Sequence, residues 1–163
     1  MGWKAVLIIF CLLGIFLQDI KYREVHIVLF AGLFGLSGFL GYCNYKMFIV
    51  QIFLYNTAFF VLTFLLLIAY MSLKAGYYNN PFTNYFGLGD VFFYVSVTPL
   101  FMLRNYIVFF ILSLVFAIVA HLTLKKIMVQ KTIPLAGYAA LLLLCIAGYE
   151  FMTNNFKITI FTS

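Results

Sequence analysis

The chain has 163 residues, of which 66% are hydrophobic and only 9% are charged, and it contains 21 Phe and 12 Tyr. This composition is too apolar for an ordinary soluble domain and favours a lipid bilayer as its environment. The net charge is +6, but the Lys and Arg residues stand singly or in pairs between apolar runs, which excludes a nucleic-acid patch. The three cysteines lie far apart, which excludes a zinc module and a disulfide framework.

Six apolar segments follow one another, and a helix needs about 20 residues to cross a bilayer. The first is similar to a signal peptide in length, but it has no cleavage site, so we interpret it as a membrane anchor. The pattern predicts an all-α, polytopic membrane protein, a bundle of about six transmembrane helices in a single domain over residues 1–163. The predicted spans run from Trp3 to Gln18, Ile27 to Tyr42, Phe48 to Met71, Leu88 to Leu103, Tyr106 to Leu124 and Ile133 to Tyr149. Pro99 is expected to kink the fourth span.

The positive charges in the connections predict the orientation of the bundle. Six Lys and Arg residues follow spans one, three and five, and four lie on the other side. Because positive residues are enriched in cytoplasmic loops, the connections after spans one, three and five are expected in the cytoplasm.

Four acidic residues occur in the whole chain, namely Asp19, Glu24, Asp90 and Glu150. Asp19 ends the first span and Asp90 begins the fourth, so both lie on the predicted cytoplasmic side and can meet. Glu24 is expected to form a solvated ion pair in a loop. Glu150 closes the last span on the opposite side, where we expect a solvated helix end.

Asp90 follows the stretch Gly87-Leu88-Gly89, in which glycine lets the backbone turn tightly and lets another chain approach closely. In the first turn of a helix the dipole favours the ionised carboxylate, whereas burial favours the neutral acid. The alternative is that Asp90 simply caps the helix. The polar connection before it, from Leu73 to Phe86, is interpreted either as a lid or as a plain connector.

His26 and His121 have no second metal ligand at helical spacing, and no cysteine pair is present. Because a metal site needs a set of such ligands, we expect no metal and no cofactor.

Three ordered motifs carry a resemblance to a known family. They are Asp19-Ile20-Lys21-Tyr22-Arg23-Glu24-Val25, Gly87-Leu88-Gly89-Asp90, and Lys131-Thr132-Ile133-Pro134-Leu135-Ala136-Gly137 at the start of the last span. Together they resemble the prepilin leader peptidases, a family of Gly-x-Gly-Asp intramembrane aspartic peptidases. The likeness is to the minimal form, without the N-terminal cysteine-containing methylation domain.

The resemblance implies an aspartic endopeptidase in which Asp19 and Asp90 are catalytic and Gly87 and Gly89 form the active-site turn, with no cofactor. Its implied substrate is a single-span prepilin-like precursor, cut at the cytoplasmic boundary of the inner membrane in a type IV pilus or protein secretion system. Two positions depart from the family pattern: His26 stands where proline is usual, and Phe92 where lysine is frequent. With Phe92, we expect less positive charge near the aspartates.

The sequence also permits two functions other than that of a peptidase. First, Asp19 and Asp90 could bind a cation or relay protons in a small ion- or proton-coupled carrier, as acidic residues within membranes often do. A non-catalytic partner in a pilus or secretion assembly would fit the departures at His26 and Phe92.

Overall fold

A computed structural model describes residues 3–75, 87–124 and 134–153, and within them the side chains of 6–74, 87–123 and 134–150. The described residues form six α-helices and one 3-10 turn, and no strand occurs among them. The all-α fold predicted from the sequence is confirmed. The helices are α1 (Trp3–Tyr22), α2 (Ile27–Tyr45), α3 (Phe48–Ala75), α4 (Leu88–Val97), α5 (Leu103–Leu124) and α6 (Leu135–Thr153), with the 3-10 turn at Thr98–Leu100. The connection interpreted as a lid lies mostly outside the described residues, at 76–86.

The protein is a membrane protein. By length and apolar composition, three helices can cross a bilayer: Ile27–Tyr45, Phe48–Lys74 and Leu103–Thr123. Two further apolar helices are shorter, Leu88–Leu100 and Leu135–Glu150. Large apolar side chains face outward along the helices, including Phe10, Val28 and Leu73. Exposed apolar surface of this extent is typical of contact with lipid.

Helix α4 packs against α2, α3 and α6, while α1 and α5 both pack along α6. The side chains of Phe93, Tyr94, Ser96 and Val97 on α4 are buried. The Tyr94 ring contacts Phe110 of α5 at a centroid distance of 4.9 Å and Phe60 of α3 at 5.7 Å. Because tilted and edge-to-face aromatic pairs add attraction beyond their buried area, this cluster holds α3 and α5 against α4.

The prediction that Pro99 kinks a continuous fourth span is wrong, because the helix ends at Val97. Thr98 donates both its backbone N–H and its Oγ1 hydroxyl to the Val95 carbonyl oxygen, and Pro99 has no N–H with which to continue the helix. After the 3-10 turn, Phe101 is extended, with φ −129° and ψ 143°. Helix and turn together are about 21 Å long, which is shorter than the roughly 30 Å hydrocarbon core of a bilayer.

The carbonyl groups at the end of α4 are satisfied by side chains from neighbouring helices. The Tyr106 hydroxyl donates to the Tyr94 carbonyl oxygen at 3.1 Å, and Ser37 Oγ donates to that of Ser96 at 2.9 Å. Asn56 Nδ2 donates to the carbonyl oxygens of Thr98 and Phe101, at 2.8 and 2.7 Å. An unsatisfied carbonyl is costly away from water, so these bonds allow the short helix to end inside the bundle.

This capping predicts the effect of Tyr106→Phe, which removes one hydroxyl and leaves the buried Tyr94 carbonyl oxygen without that donor. We expect the free energy of unfolding to fall by about 1 to 3 kcal/mol. Tyr55→Phe is the matched control, since Tyr55 lies exposed on α3 and loses the same atom. Chemical denaturation in detergent micelles measures both variants, and equal stability of the two would contradict the role given to Tyr106.

Candidate active site

Asp19 lies on the last turn of α1, with 7% of its surface exposed. The helix ends at Tyr22, and the next residue, Arg23, has the left-handed backbone conformation that commonly terminates helices, with φ 58°. The Arg23 N–H donates to the Asp19 carbonyl oxygen at 3.1 Å. The end of α1 thus positions Asp19 where the chain turns toward α2.

Asp90 lies in the first turn of α4, where its Oδ2 accepts a hydrogen bond from the Gly87 N–H at 3.2 Å. It therefore caps the helix, as one of the two sequence interpretations proposed. Gly87 is extended, with φ −74° and ψ 142°, and a Cβ on Gly89 would meet the Phe30 ring at an ordinary 3.8 Å. Neither glycine has a positive φ, so the backbone here does not require the conformational freedom of glycine. A Cβ on Gly87, however, would lie 3.3 Å from Asp90 Oδ2, which is tighter than ordinary contact. The role of Gly87 and Gly89 as an active-site turn stays a prediction.

The two aspartates meet at the start of α6, where no intrahelical partner exists for the first N–H groups. The Ala136 N–H donates to Asp90 Oδ1 at 2.8 Å, and the Gly137 N–H donates to Asp19 Oδ2 at 2.6 Å. Since successive backbone nitrogens in a helix are roughly 3 Å apart, the two accepting oxygens are no more than roughly 8 to 9 Å apart. The sequence motif beginning at Lys131 thus binds both acids through its described part, Pro134 to Gly137.

Gly137 has to be small for this contact. A Cβ at this position would lie 3.0 Å from Asp19 Oδ2 and 3.2 Å from Asp19 Cβ. These distances are tighter than ordinary van der Waals contact, so Asp19 would have to move. Gly137 was given no role of its own from the sequence. Its position three residues after a proline, at a helix start, is the signal that could have pointed to it.

Two more side chains belong to the surroundings of the acids. Arg23 is half-buried and interacts electrostatically with both Asp19 and Asp90. Tyr138, the residue after Gly137, is buried and interacts electrostatically with Asp19 and Arg23. Neither residue was assigned to the site from the sequence, because the loop charges predict that the two acids lie on one side but not which side chains surround them.

The other two acids stay apart from this site. Glu24 is exposed in the connection between α1 and α2, in agreement with a solvated position. Glu150 was expected to be solvated, and this expectation is wrong, because 0% of it is exposed. It continues the buried stripe of Leu143 and Ala147 at helical spacing, so the rotation of α6 turns it inward.

The two departures from the family pattern lie in different surroundings. His26 precedes α2 with φ −61°, a value that proline also adopts, but its N–H donates to Gln18 Oε1 at 3.0 Å, which proline cannot do. Phe92 lies about 200° around α4 from Asp90, with its ring 6.2 Å from that of Phe30. The expectation of less positive charge near the aspartates with Phe92 stays a prediction.

Comparisons with protein-family models, with curated proteins and with solved structures found no match to this chain.

Gly137→Ala tests the contact between α6 and Asp19. Alanine favours a helix by up to about 1 kcal/mol over glycine, yet here we expect lower stability, because its Cβ displaces Asp19 from the Gly137 N–H. Gly148→Ala is the matched control on the same helix, where a Cβ meets nothing within 4 Å. Thermal unfolding in detergent should rank Gly148→Ala at or above wild type and Gly137→Ala below it, and the opposite ranking would exclude the contact.

Proposed function

We propose that this protein is an intramembrane aspartic endopeptidase of the prepilin leader peptidase type, with Asp19 and Asp90 as the catalytic pair. One observation carries the proposal: the carboxylates of two separate sequence motifs accept hydrogen bonds from neighbouring N–H groups of the third motif. A purely structural cap explains Asp90 alone. It does not explain why a second acid, the buried Asp19 of α1, shares the same helix start.

Asp19 is buried and Asp90 is half-buried. Two carboxyl groups that interact in such a site do not readily ionise together, so the proposed mechanism has them share one proton. In the proposed reaction the ionised carboxylate removes a proton from a water molecule, and the resulting hydroxide attacks the scissile carbonyl carbon. The protonated carboxyl donates its proton to the carbonyl oxygen. When the tetrahedral intermediate collapses, the carboxyl group that took the water proton donates it to the leaving nitrogen and the C–N bond breaks. One hydroxyl group of the intermediate returns its proton to the other carboxylate. Water and a peptide bond thus become a carboxyl group and an amine, and the pair regains its single proton.

The protein supplies orientation to this chemistry. Asp19 and Asp90 each have one oxygen bound to a backbone N–H at the start of α6, and Asp90 has its other oxygen bound to the Gly87 N–H. Backbone donors do not rearrange during a reaction, so the carboxyl groups are held in position before substrate binds. Carboxylate oxygens have several lone-pair sites, so these bonds leave capacity for water.

The proposed substrate is a single-span, prepilin-like precursor with a basic leader, in a type IV pilus or protein secretion system. Its apolar helix would lie in the bilayer beside the bundle, and its leader would reach the site from the cytoplasm. The proposed location is the cytoplasmic membrane, with six spans and the pair facing the cytoplasm. The excess of Lys and Arg in the connections on the side of Asp19 and Asp90 supports this orientation.

An ion- or proton-coupled carrier is the second candidate, and the burial of Glu150 favours it. Glu150 lies 13 residues after Gly137 on α6, about 20 Å further along the helix. Buried acids inside a membrane protein often mark an ion or proton path. A non-catalytic assembly partner is the third candidate, because the chain departs from the family at His26 and Phe92.

The peptidase proposal predicts that Asp19→Asn and Asp90→Asn each lower precursor cleavage by at least about 100-fold while the protein remains folded and inserted. An amide keeps the shape of the side chain but cannot exchange the proton that hydrolysis needs. The measurement is cleavage of a synthetic precursor, with a basic leader and one apolar segment, by purified protein in liposomes.

Glu24→Gln is the control for these variants, because Glu24 is an exposed acid that loses the same charge. It should cleave like wild type. Undiminished cleavage by Asp90→Asn would exclude the aspartic mechanism. Loss of proton or ion flux in both Asn variants, without cleavage by wild type, would favour the carrier.

A shared proton also predicts how cleavage depends on pH. The value of kcat/KM should rise and then fall with increasing pH, and both limbs belong to the pair as a whole, since its members titrate together. Measurement over a broad pH range with buffers of constant ionic strength tests this. A rate that rises to a plateau and stays there at alkaline pH would show that no protonated carboxyl is required.

A further inference from the structure

Asn56 is a polar residue at a fully buried position of α3. It is 0% exposed, and one turn later on the same helix Phe60 is buried as well. Its Nδ2 donates to the carbonyl oxygens of Thr98 at 2.8 Å and Phe101 at 2.7 Å. Exchanging the nitrogen and the oxygen of the amide would place Oδ1 against both carbonyl oxygens, so these two bonds fix the orientation of the side chain.

The bonds of Asn56 connect α3 to the corner between α4 and α5. Thr98 begins the 3-10 turn after α4, and Phe101 is the extended residue that follows the turn. One amide therefore holds two carbonyl groups that lie three residues apart, on both sides of Pro99, which has no N–H for a backbone bond. The corner is thereby fixed in its shape and in its position along α3.

A neighbouring aromatic contact shows how α3 and α4 are aligned. Four residues after Asn56 on α3, Phe60 lies beside Tyr94. Tyr94 comes four residues before Thr98, so the two helices run antiparallel in this region. Asp90 lies a further four residues back, about 12 Å from Thr98 along the helix axis. Because α4 is one continuous helix of 10 residues, a movement of its end along the axis moves Asp90 with it.

Apolar packing by itself does not fix the position of one helix along another. The side chains on a helix surface repeat with each turn, so a helix that slides by one turn, about 5.4 Å, again presents apolar side chains to its neighbour. A buried polar residue removes this freedom because its partners occur at one position only, and a single buried asparagine sets the register of coiled coils in this way. Asn56 Oδ1 is buried and has no donor among the described residues, so the amide is not optimised for stability alone.

We infer that Asn56 is a positioning residue that sets the location of α4 along the bundle and thereby brings Asp90 to the helix start that Asp19 also binds. Ser37 and Tyr106 bond to carbonyl groups of α4 itself, whereas Asn56 bonds to the segment that follows the helix. The consequence for cleavage rests on the proposed function, but the effect on the position of α4 does not.

The experiment measures the position of α4 directly. Spin labels are attached through Leu17→Cys on α1 and Leu88→Cys on α4, in a background in which the three native cysteines are replaced by serine. Both positions are exposed, and each lies two residues before one of the aspartates. Double electron–electron resonance in liposomes then gives the distance between the labels. Asn56→Leu has a similar shape but no donor, so it should shift the mean distance by about 2 to 5 Å or add a second population, because the next register lies one turn away.

Thr57→Val is the matched control, because Thr57 is the next residue on α3 and its buried Oγ1 has no hydrogen-bond partner among the described residues. Its label distance should equal that of wild type. An unchanged distance in Asn56→Leu, or the same change in both variants, would overturn the inference. If Asn56→Leu does not fold, as judged by circular dichroism and size-exclusion chromatography, Asn56→Ser replaces it under the same criteria, since one hydroxyl proton does not serve two carbonyl groups.

Cleavage measurements separate the role of Asn56 from the proposed function. If wild type cleaves the precursor, Asn56→Leu should lower kcat by about 100-fold, because a displacement of about 1 Å at a catalytic group has an effect of that size. The KM should stay within about threefold of wild type, since Asn56 is buried away from the substrate. Cleavage by wild type with an unshifted label distance in Asn56→Leu would refute the role of Asn56 and leave the peptidase in place. A shifted distance in a protein whose wild type cleaves nothing would refute the peptidase and leave the positioning role in place.

Discussion

The first turn of α6 holds the two aspartates, and the arrangement of the other helices around the site depends on that interaction. A helix start has N–H groups without partners, and a buried carboxylate has oxygens without donors. The N–H of Ala136 donates to Asp90 and the N–H of the next residue, Gly137, donates to Asp19, so donors and acceptors are satisfied together. The ends of α1 and α4 are thereby held against the start of α6, and any displacement of α6 leaves four polar groups unsatisfied in a largely apolar protein.

Helix α4 is held at both of its ends by polar contacts that involve side chains. At its start, Asp90 bonds to Gly87 and to Ala136. At its other end, side chains of α2, α3 and α5 satisfy the open carbonyl groups. Near the end of the helix, Ser96 Oγ lies 2.6 Å from the Phe92 carbonyl oxygen and 3.1 Å from that of Phe30, so its single proton can be donated to either or shared between them. Since unmatched polar groups are expensive in a membrane, these bonds specify the position of the helix more strictly than apolar packing does.

The sequence predicted the described helices well where apolar length was the deciding signal. The second and third predicted spans differ from α2 and α3 by a few residues at their ends, as helix ends commonly do. The fourth was wrong at Pro99, because hydropathy does not distinguish a continuous apolar helix from a helix, a 3-10 turn and an extended residue in succession. The expectation that Glu150 is solvated was wrong, because it considered only the position of Glu150 near a helix end. The rotation of α6 places this residue on the buried stripe of the helix.

By itself the sequence determined that the chain is an all-α membrane protein and that Asp19 and Asp90 lie at ends of apolar segments on one side, since composition, segment length and loop position are local properties. Only the tertiary structure decided that both acids bind the same helix start and that a side chain at Gly137 would crowd Asp19. These facts depend on the packing of α1, α4 and α6 against one another. The donors are backbone N–H groups, which nearly every residue carries, so no pattern of side chains in the sequence marks them.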